Sequence, residues 1–362
     1  MAVLLAVGCN VQVQDDDDDS VPGGNHGPKL DTDELEDQVK ETVDDIKDTE
    51  ICPGYTVSEL LKADSLSDEC RDAVLSFLPD PETTFEGRLI APGGARVVDG
   101  ELHVLLQGAD EDGNAVTAAD LMAGLSISVT VNGEAQVIDS DSVTFTIGTE
   151  LPTDLLSIAV VNDYSASMLD GDLEDVEEVE RNLFSCLPAI HETEVFRFSE
   201  TVDRVLEFSI DADEIDDALA RDDAFMRGTT ALLDGLGLGL HDLSTRERPV
   251  HLVILATDGR ENASTMFEKP EVLAALDQPN TFIVVLGALL ADVDMVRELA
   301  KSHGVFFYTR EFKSLAASVQ PFCASLSELT ELRIPLDGAT PDSVHLAHAD
   351  VELDLELEVA GP

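Results

Sequence analysis

The period of the apolar positions changes three times along the chain. Between residues 30 and 80, Leu35, Val39, Val43 and Ile46 recur at helical spacing among acids and lysines, which predicts a short amphipathic helix. A second apolar run, with Leu60, Leu61, Val74, Leu75 and Leu78, is punctuated by Pro53-Gly54 and Pro79, so 30–80 reads as a small helical segment. From 81 to 150 the period becomes two. Leu102, Val104 and Leu106 alternate with other residues, as do Ile127, Val129 and Val131, and then Val143, Phe145 and Ile147. Asn132-Gly133 after the second of these runs is a strong hairpin signal. An antiparallel β domain is expected here. Asp110, Asp112 and Asn114 have some of the oxygens of a calcium loop, but Gly113 falls too early for one, and a polar turn is the better reading.

Residues 154–325 alternate strand and helix. Leu155–Val161, His251–Ala256 and Thr281–Leu286 are continuous apolar runs, the signature of strands buried on both faces of a parallel sheet. Leu173, Val176, Val179, Leu183 and Leu187 mark an amphipathic helix between them, and Thr230–Leu243 marks another. Further strands are expected at Glu194–Phe198, Val202–Phe208 and Val305–Tyr308, with helices near Ile215–Leu219, Val293–Ala300 and Leu315–Phe322. This order predicts an α/β fold, a doubly wound and mostly parallel sheet flanked by helices. Over 326–362 the period returns to two. Val351, Leu353, Leu355, Leu357 and Val359 alternate with acids, a half-buried strand suited to completing the earlier β domain.

Composition narrows the function. Of 362 residues, 75 are Asp or Glu and 21 are Lys or Arg, a net charge of −54. Such a chain lacks the cations needed to track nucleic-acid phosphates or to dock on an anionic membrane by basic patches. No apolar run reaches the length of a membrane span. The segment 1–9, MAVLLAVGC, resembles the end of a bacterial lipoprotein signal, in which Cys9 becomes the lipidated first residue. It lacks a basic stretch before the apolar run; a start codon assigned too late accounts for that, and a buried cysteine on a short apolar segment is the alternative. Residues 10–29, with Asp15–Asp19 and a Pro/Gly-rich stretch, read as an acidic disordered linker, fitting a tether from a membrane. Setting Cys9 aside leaves an even number of cysteines. Cys52 and Cys70 flank one short helical region and suit a local bridge, which leaves Cys186 and Cys323 to pair across the later domain; buried free thiols are the alternative. Export to an extracytoplasmic, lipid-anchored position in the cell envelope is the expectation.

Three fragments of the α/β region belong together. Asp163-Tyr164-Ser165-Ala166-Ser167 follows the first strand, Arg227-Gly228-Thr229-Thr230 enters a helix, and Thr257-Asp258-Gly259 ends a later strand. Strand ends of a parallel sheet meet at its carboxyl edge, where these carboxylates and hydroxyls are hard oxygen donors suited to Mg²⁺ or Mn²⁺. Asp163 is expected to project from that edge rather than into the core. The fragments resemble the metal-ion-dependent adhesion site of von Willebrand factor A domains: Asp163, Ser165 and Ser167 in the DxSxS pattern, Thr230 in GTTAL, and Asp258 in ATDGREN. Ala166 and Arg227 depart from frequent glycines without removing a ligand.

The resemblance implies that Asp163, Ser165, Ser167, Thr230 and Asp258 hold a divalent cation whose remaining position takes a carboxylate of a protein partner. Neutral hydroxyl donors leave the cation's charge available for that carboxylate. Two readings follow: a binding or adhesion protein, or an envelope scaffold in which the metal only stabilises loops. No enzyme is expected, because no histidine base or GxSxG turn accompanies Ser165. Gly235, Gly237 and Gly239 lie within a helix rather than after a strand, against a nucleotide loop. His345 and His348 fall on opposite faces of a strand, against a zinc pair. If Cys9 is processed, mass spectrometry of the mature chain finds an acylated Cys9 as its first residue; an intact Met1 overturns the anchor.

Overall fold

The computed structural model describes residues 80–357, apart from 86, 112, 148–150, 152–153, 166–167, 169, 188–190, 221–227, 259–260, 289–290, 302, 337 and 350, and apart from the side chains of 170–171. The expected Cys9 anchor, the acidic linker, the helical segment and Cys52 and Cys70 therefore lie outside the described residues. The compact unit that begins at Asp80 holds everything below.

The chain opens with β1 (Glu82–Thr83), β2 (Arg88–Ile90), β3 (Ala95–Val98) and β4 (Glu101–Ala109). A short helix α1 (Ala118–Gly124), capped by the Thr117 hydroxyl on Asp120 N–H, precedes β5 (Leu125–Val131), β6 (Glu134–Val137) and β7 (Thr144–Ile147). Asn132 and Gly133, both at positive φ (53° and 78°), make the turn between β5 and β6. Two antiparallel sheets result: β2, β3, β4 and β7 with β14 (Thr330–Pro335), and β5 and β6 with β15 (Ser343–His348) and β16 (Val351–Glu356). β14 lies between β4 and β7, and β15 pairs with β5. Leu102, Val104 and Leu106 thus face Ile127, Val129, Leu332, Ile334, Val344 and Leu346 in one core, with Val351 and Leu353 packed at its margin. Strands about 180 to 230 residues apart in sequence build this domain together.

Between its two parts runs the α/β domain. Its elements are β8 (Leu156–Asp163), α2 (Asp170–Cys186), β9 (His191–Phe198), β10 (Val202–Ser209), α3 (Ala212–Leu219), α4 (Leu232–Leu243), β11 (Val250–Thr257), α5 (Lys269–Leu276), β12 (Thr281–Ala288), α6 (Val293–Leu299), β13 (Gly304–Thr309), α7 (Leu315–Ser318) and α8 (Gln320–Ser327). The sheet runs β1-β13-β12-β11-β8-β9-β10, its five inner strands parallel and its two edges antiparallel. β8, β11 and β12 are buried at every position, as expected of strands covered on both faces. β1 departs from the expected division, because it joins this sheet rather than the β domain. The expected closing helix is interrupted, since Pro321 sits in the first turn of α8 and starts a new helix there.

Helices α4, α5 and α6 cover one face of the sheet. On the other, α2 packs against α3, α7 and α8. Gly237 lets α4 meet the chain beyond β11 closely: a Cβ there would stand 2.4 Å from the Phe267 ring. Phe322 of α8 meets Phe282 and Phe307 of the sheet and stands edge-on to Phe85, at 5.2 Å, on the connection toward β2. Among the described residues no helix is long and apolar enough to cross a membrane.

Cys186, the last residue of α2, is bonded to Cys323 of α8, with Cα atoms 5.4 Å apart at a sequence separation of 137. Closing so long a loop restricts the unfolded chain by about 5 kcal/mol on the loop-entropy estimate. Replacing both cysteines by serine should lower the unfolding free energy by about 3–5 kcal/mol, read from denaturant midpoints, and reductant should bring the wild type to the variant's midpoint.

Candidate functional site

Strand order places β8 between β9, which follows it in the chain, and β11, which comes later on its other side. The chain reverses direction across the sheet here, and a crevice opens beyond the carboxyl ends of β8 and β11. Asp163 ends β8 and Asp258 follows β11 directly.

Asp163 stands at that edge and is fully buried. One carboxylate oxygen accepts the N–H of Ser165 at 2.8 Å and the other accepts the Thr257 hydroxyl at 2.6 Å. The first bond turns the chain after β8, and the second ties β8 to β11. Both follow from polar atoms buried at a sheet edge, which must find partners there. Ser165, Thr230 and Asp258 are also enclosed, none more than 3% exposed. Ser167 lies outside the described residues, as does Arg227.

A chain of hydrogen bonds links the loops that carry these residues. Tyr164 N–H donates to Phe198 O at 2.7 Å, and Ala231 N–H donates to Ser199 O at 2.7 Å. Thr230 N–H donates to the Asn262 side chain at 2.9 Å, while Asn262 N–H returns a bond to Thr230 O at 3.0 Å. Asn262 stands four residues beyond Asp258, and Thr257 is bonded to Asp163. Thus Asp163, Ser165, Thr230 and Asp258 are brought onto one closed ring of loops at the switch point.

The loop after β11 is fixed by α4. Leu233 and Asp234 N–H groups, free at the start of a helix, donate to Glu261 Oε2 (2.9 Å) and Ser264 Oγ (3.0 Å). Asp234 in return accepts three N–H groups, from Thr265, Met266 and Phe267 at 2.8–3.0 Å. Sequence reasoning missed Thr257, Asn262, Glu261, Ser264 and Asp234. The run Arg260–Thr265 between an apolar strand and the next helix is the signal for Glu261, Asn262 and Ser264; Thr257 closes the apolar strand and Asp234 lies within a helix, where no pattern sets them apart.

Behind the site, on the face covered by α2, Asn162 Nδ2 donates to Glu180 Oε2 at 3.1 Å, and both residues are buried. Arg197, paired with Asn162 across β8 and β9, lies over the Tyr164 ring at 5.0 Å and donates to Ala218 O and Ala220 O. Burial pushes the Glu180 carboxyl up to about 8. Elsewhere on the sheet, burial pushes Glu194 to about 9, with the Asp242 carboxylate adding to the shift.

Two carboxylates and two hydroxyls are hard oxygen donors, the set that Mg²⁺ and Mn²⁺ accept. Among the described residues no three His, Cys, Asp or Glu side chains gather as a metal cluster, so a cation here would rest on hydroxyl oxygens as well as on carboxylates.

Residues 157–321 match the sequence profile of the von Willebrand factor type A domain, a little under half of the chain. The α/β domain has that fold, accompanied here by extra antiparallel sheets. Among solved structures, proximal thread matrix protein 1 of the mussel byssus, with a zinc-occupied MIDAS motif, is similar at 19% identity. The likeness covers 54% of this chain and 50% of that one, with a TM-score of 0.45, so this chain spans about half the length of the mussel protein. A von Willebrand factor type A protein of Catenulispora acidiphila is similar at 13% identity, over 76% and 71% of the two chains, with a TM-score of 0.42. BatB of Bacteroides thetaiotaomicron is similar at 16% identity, over 46% of this chain and 97% of its own, with a TM-score of 0.38. No curated protein matches the chain in sequence.

The buried Glu180 sets a pH dependence. Its proton is held more tightly in the folded state than in the unfolded chain, so its contribution is complete below about 4.5 and is lost as pH rises through about 8. Glu180→Gln, which replaces the carboxyl by an amide of similar size and removes the titration, should match the wild type in melting temperature at pH 4.5 and exceed it increasingly toward pH 8. Parallel wild-type and variant curves across that window would disprove the assignment.

Proposed function

We propose that this chain is a binding protein whose α/β domain holds a divalent cation through Asp163, Ser165, Ser167, Thr230 and Asp258, and presents it to a carboxylate on a protein partner. The observation that carries the reading is the closed ring of loops at the switch point, which brings Asp163, Ser165, Thr230 and Asp258 together as buried oxygen donors. Mg²⁺ or Mn²⁺ suits that oxygen set. Bound there, the cation supplies a Lewis-acidic position to which an anionic ligand adds. The hydroxyls of Ser165, Ser167 and Thr230 hold it without neutralising it. Asp163 orients the Ser165 loop by the same carboxylate that Thr257 fixes.

Binding rather than catalysis is our reading. Export and a lipid anchor at Cys9 belong to the same proposal, with the protein held outside the cytoplasm at the cell envelope. The Cys186–Cys323 bond supports them, since disulfides persist in oxidising compartments. A second reading, a scaffold whose cation only stabilises the loops, is favoured by one feature: the donors are almost wholly enclosed.

Asp163→Asn is the decisive variant, because an amide can still accept from Ser165 N–H and donate to Thr257 Oγ1 while losing the charge. Calorimetry should find one Mn²⁺ site on the wild type and none on Asp163→Asn. Partner capture should disappear with EDTA and strengthen in moderate salt, which screens repulsion between this very acidic chain and an acidic ligand. Equal Mn²⁺ uptake by both proteins overturns the cation site. Partner capture indifferent to EDTA, with the cation bound, leaves the scaffold reading.

A further inference from the structure

Ser199 follows β9 and is fully enclosed, yet among the described residues its hydroxyl finds no hydrogen-bond partner. A serine hydroxyl carries one donor and two acceptor lone pairs, and burying it unbonded costs stability. Most buried polar atoms in a folded protein are paired, so an orphan at this place asks for a missing partner.

The place is defined by its neighbours. The carbonyl of Ser199 accepts Ala231 N–H, from the residue after Thr230, and the carbonyl of Phe198 accepts Tyr164 N–H, from the residue after Asp163. Ser199 N–H donates to Thr201 O at 2.9 Å, turning the chain sharply. Ser199 is therefore the member of the ring lying between the loop of Asp163 and Ser165 and the loop of Thr230. Its backbone is committed on both sides, and only its hydroxyl is left over.

We propose, on the basis of the cation reading above, that Ser199 is a positioning residue of that site, whose hydroxyl accepts a hydrogen bond from a water in the cation's hydration shell. Mg²⁺ gives up its waters reluctantly and usually keeps several of them in protein sites. A cation also polarises those waters and makes them stronger donors. A donor set of few side chains must orient the retained waters as well as the ion, and an enclosed, uncommitted hydroxyl does so. Ser199 thereby favours a strongly hydrated ion over one that is stripped by the protein.

The test uses the full chain with Ser199→Ala and the near-isosteric Ser199→Cys, whose S–H is a weak partner. In EDTA, Ser199→Ala should melt at or above the wild-type temperature, because it removes an unpaired buried hydroxyl. With MnCl2, calorimetry should show affinity weakened by about five- to tenfold, the worth of one hydrogen bond, with Ser199→Cys between alanine and wild type. Water-proton relaxation of the Mn²⁺-loaded proteins should report faster exchange of bound water in Ser199→Ala. A lower melting temperature in EDTA with unchanged Mn²⁺ affinity would make Ser199 a packing residue and overturn the inference. Wild-type affinity and relaxation in Ser199→Ala, while Asp163→Asn loses Mn²⁺, overturns this inference alone. Undiminished Mn²⁺ binding by Asp163→Asn removes the cation reading and this inference with it.

Discussion

The bond between Asp163 at the end of β8 and Thr257 at the end of β11 fastens together two strands of a sheet buried on both faces. The two carboxylate oxygens of Asp163 perform separate tasks, one turning the chain after β8 and the other holding the end of β11. Loss of the second bond would remove this side-chain tie between the ends of two adjacent parallel strands. The carboxylate is thus a structural clasp before it is a candidate ligand. That double role explains its complete burial, which a residue serving only an exposed rim would not require.

The same economy appears in the loop beyond β11. Glu261 and Ser264 satisfy the first N–H groups of α4, and Asp234 of α4 satisfies three N–H groups of that loop. Neither element is completed by its own residues. Each end of the exchange fixes the other, so Thr230, directly before the helix, inherits the rigidity of both. Gly237 makes this possible by admitting the Phe267 ring where a side chain would collide. Gly237 therefore serves close approach of helix to loop, and Gly235 and Gly239 serve close approach of helix to sheet, rather than a phosphate.

Most of the α/β domain was legible because buried parallel strands write themselves as uninterrupted apolar runs, as in Leu252–Ala256 and Phe282–Leu286. The fragments of the candidate site were legible because Asp, Ser and Thr break the apolar pattern where the strands end. The helix α5 escaped notice although Pro270 in its first turn and the Glu271 carboxylate on Glu268 N–H mark its start; at eight residues its apolar positions are too few to set a period. β1 was not legible as a strand, because two residues carry no pattern, and its pairing with Phe307 and Tyr308 locates it. The burial of Asp163 was illegible for a different reason. A lone aspartate after an apolar strand reads the same whether it faces water or a threonine from the neighbouring strand.

The disulfide between the ends of α2 and α8 has a mechanical meaning. Tension applied along the backbone from β2 to β16 reaches Cys186, crosses the sulfur bridge to Cys323 and continues into β14. The stretch between the two cysteines, at a sequence separation of 137, stays out of the load path. Fully extended, that stretch would span roughly 450–490 Å, a length the molecule cannot pay out while the bond is intact. β9 to β13 lie within the shielded loop, together with Thr230 and Asp258, whereas Asp163 and Ser165 lie on the loaded side. A pull therefore meets the candidate site at the seam between β8 and its neighbours, and it can separate the two halves there without drawing out the chain that carries the second half.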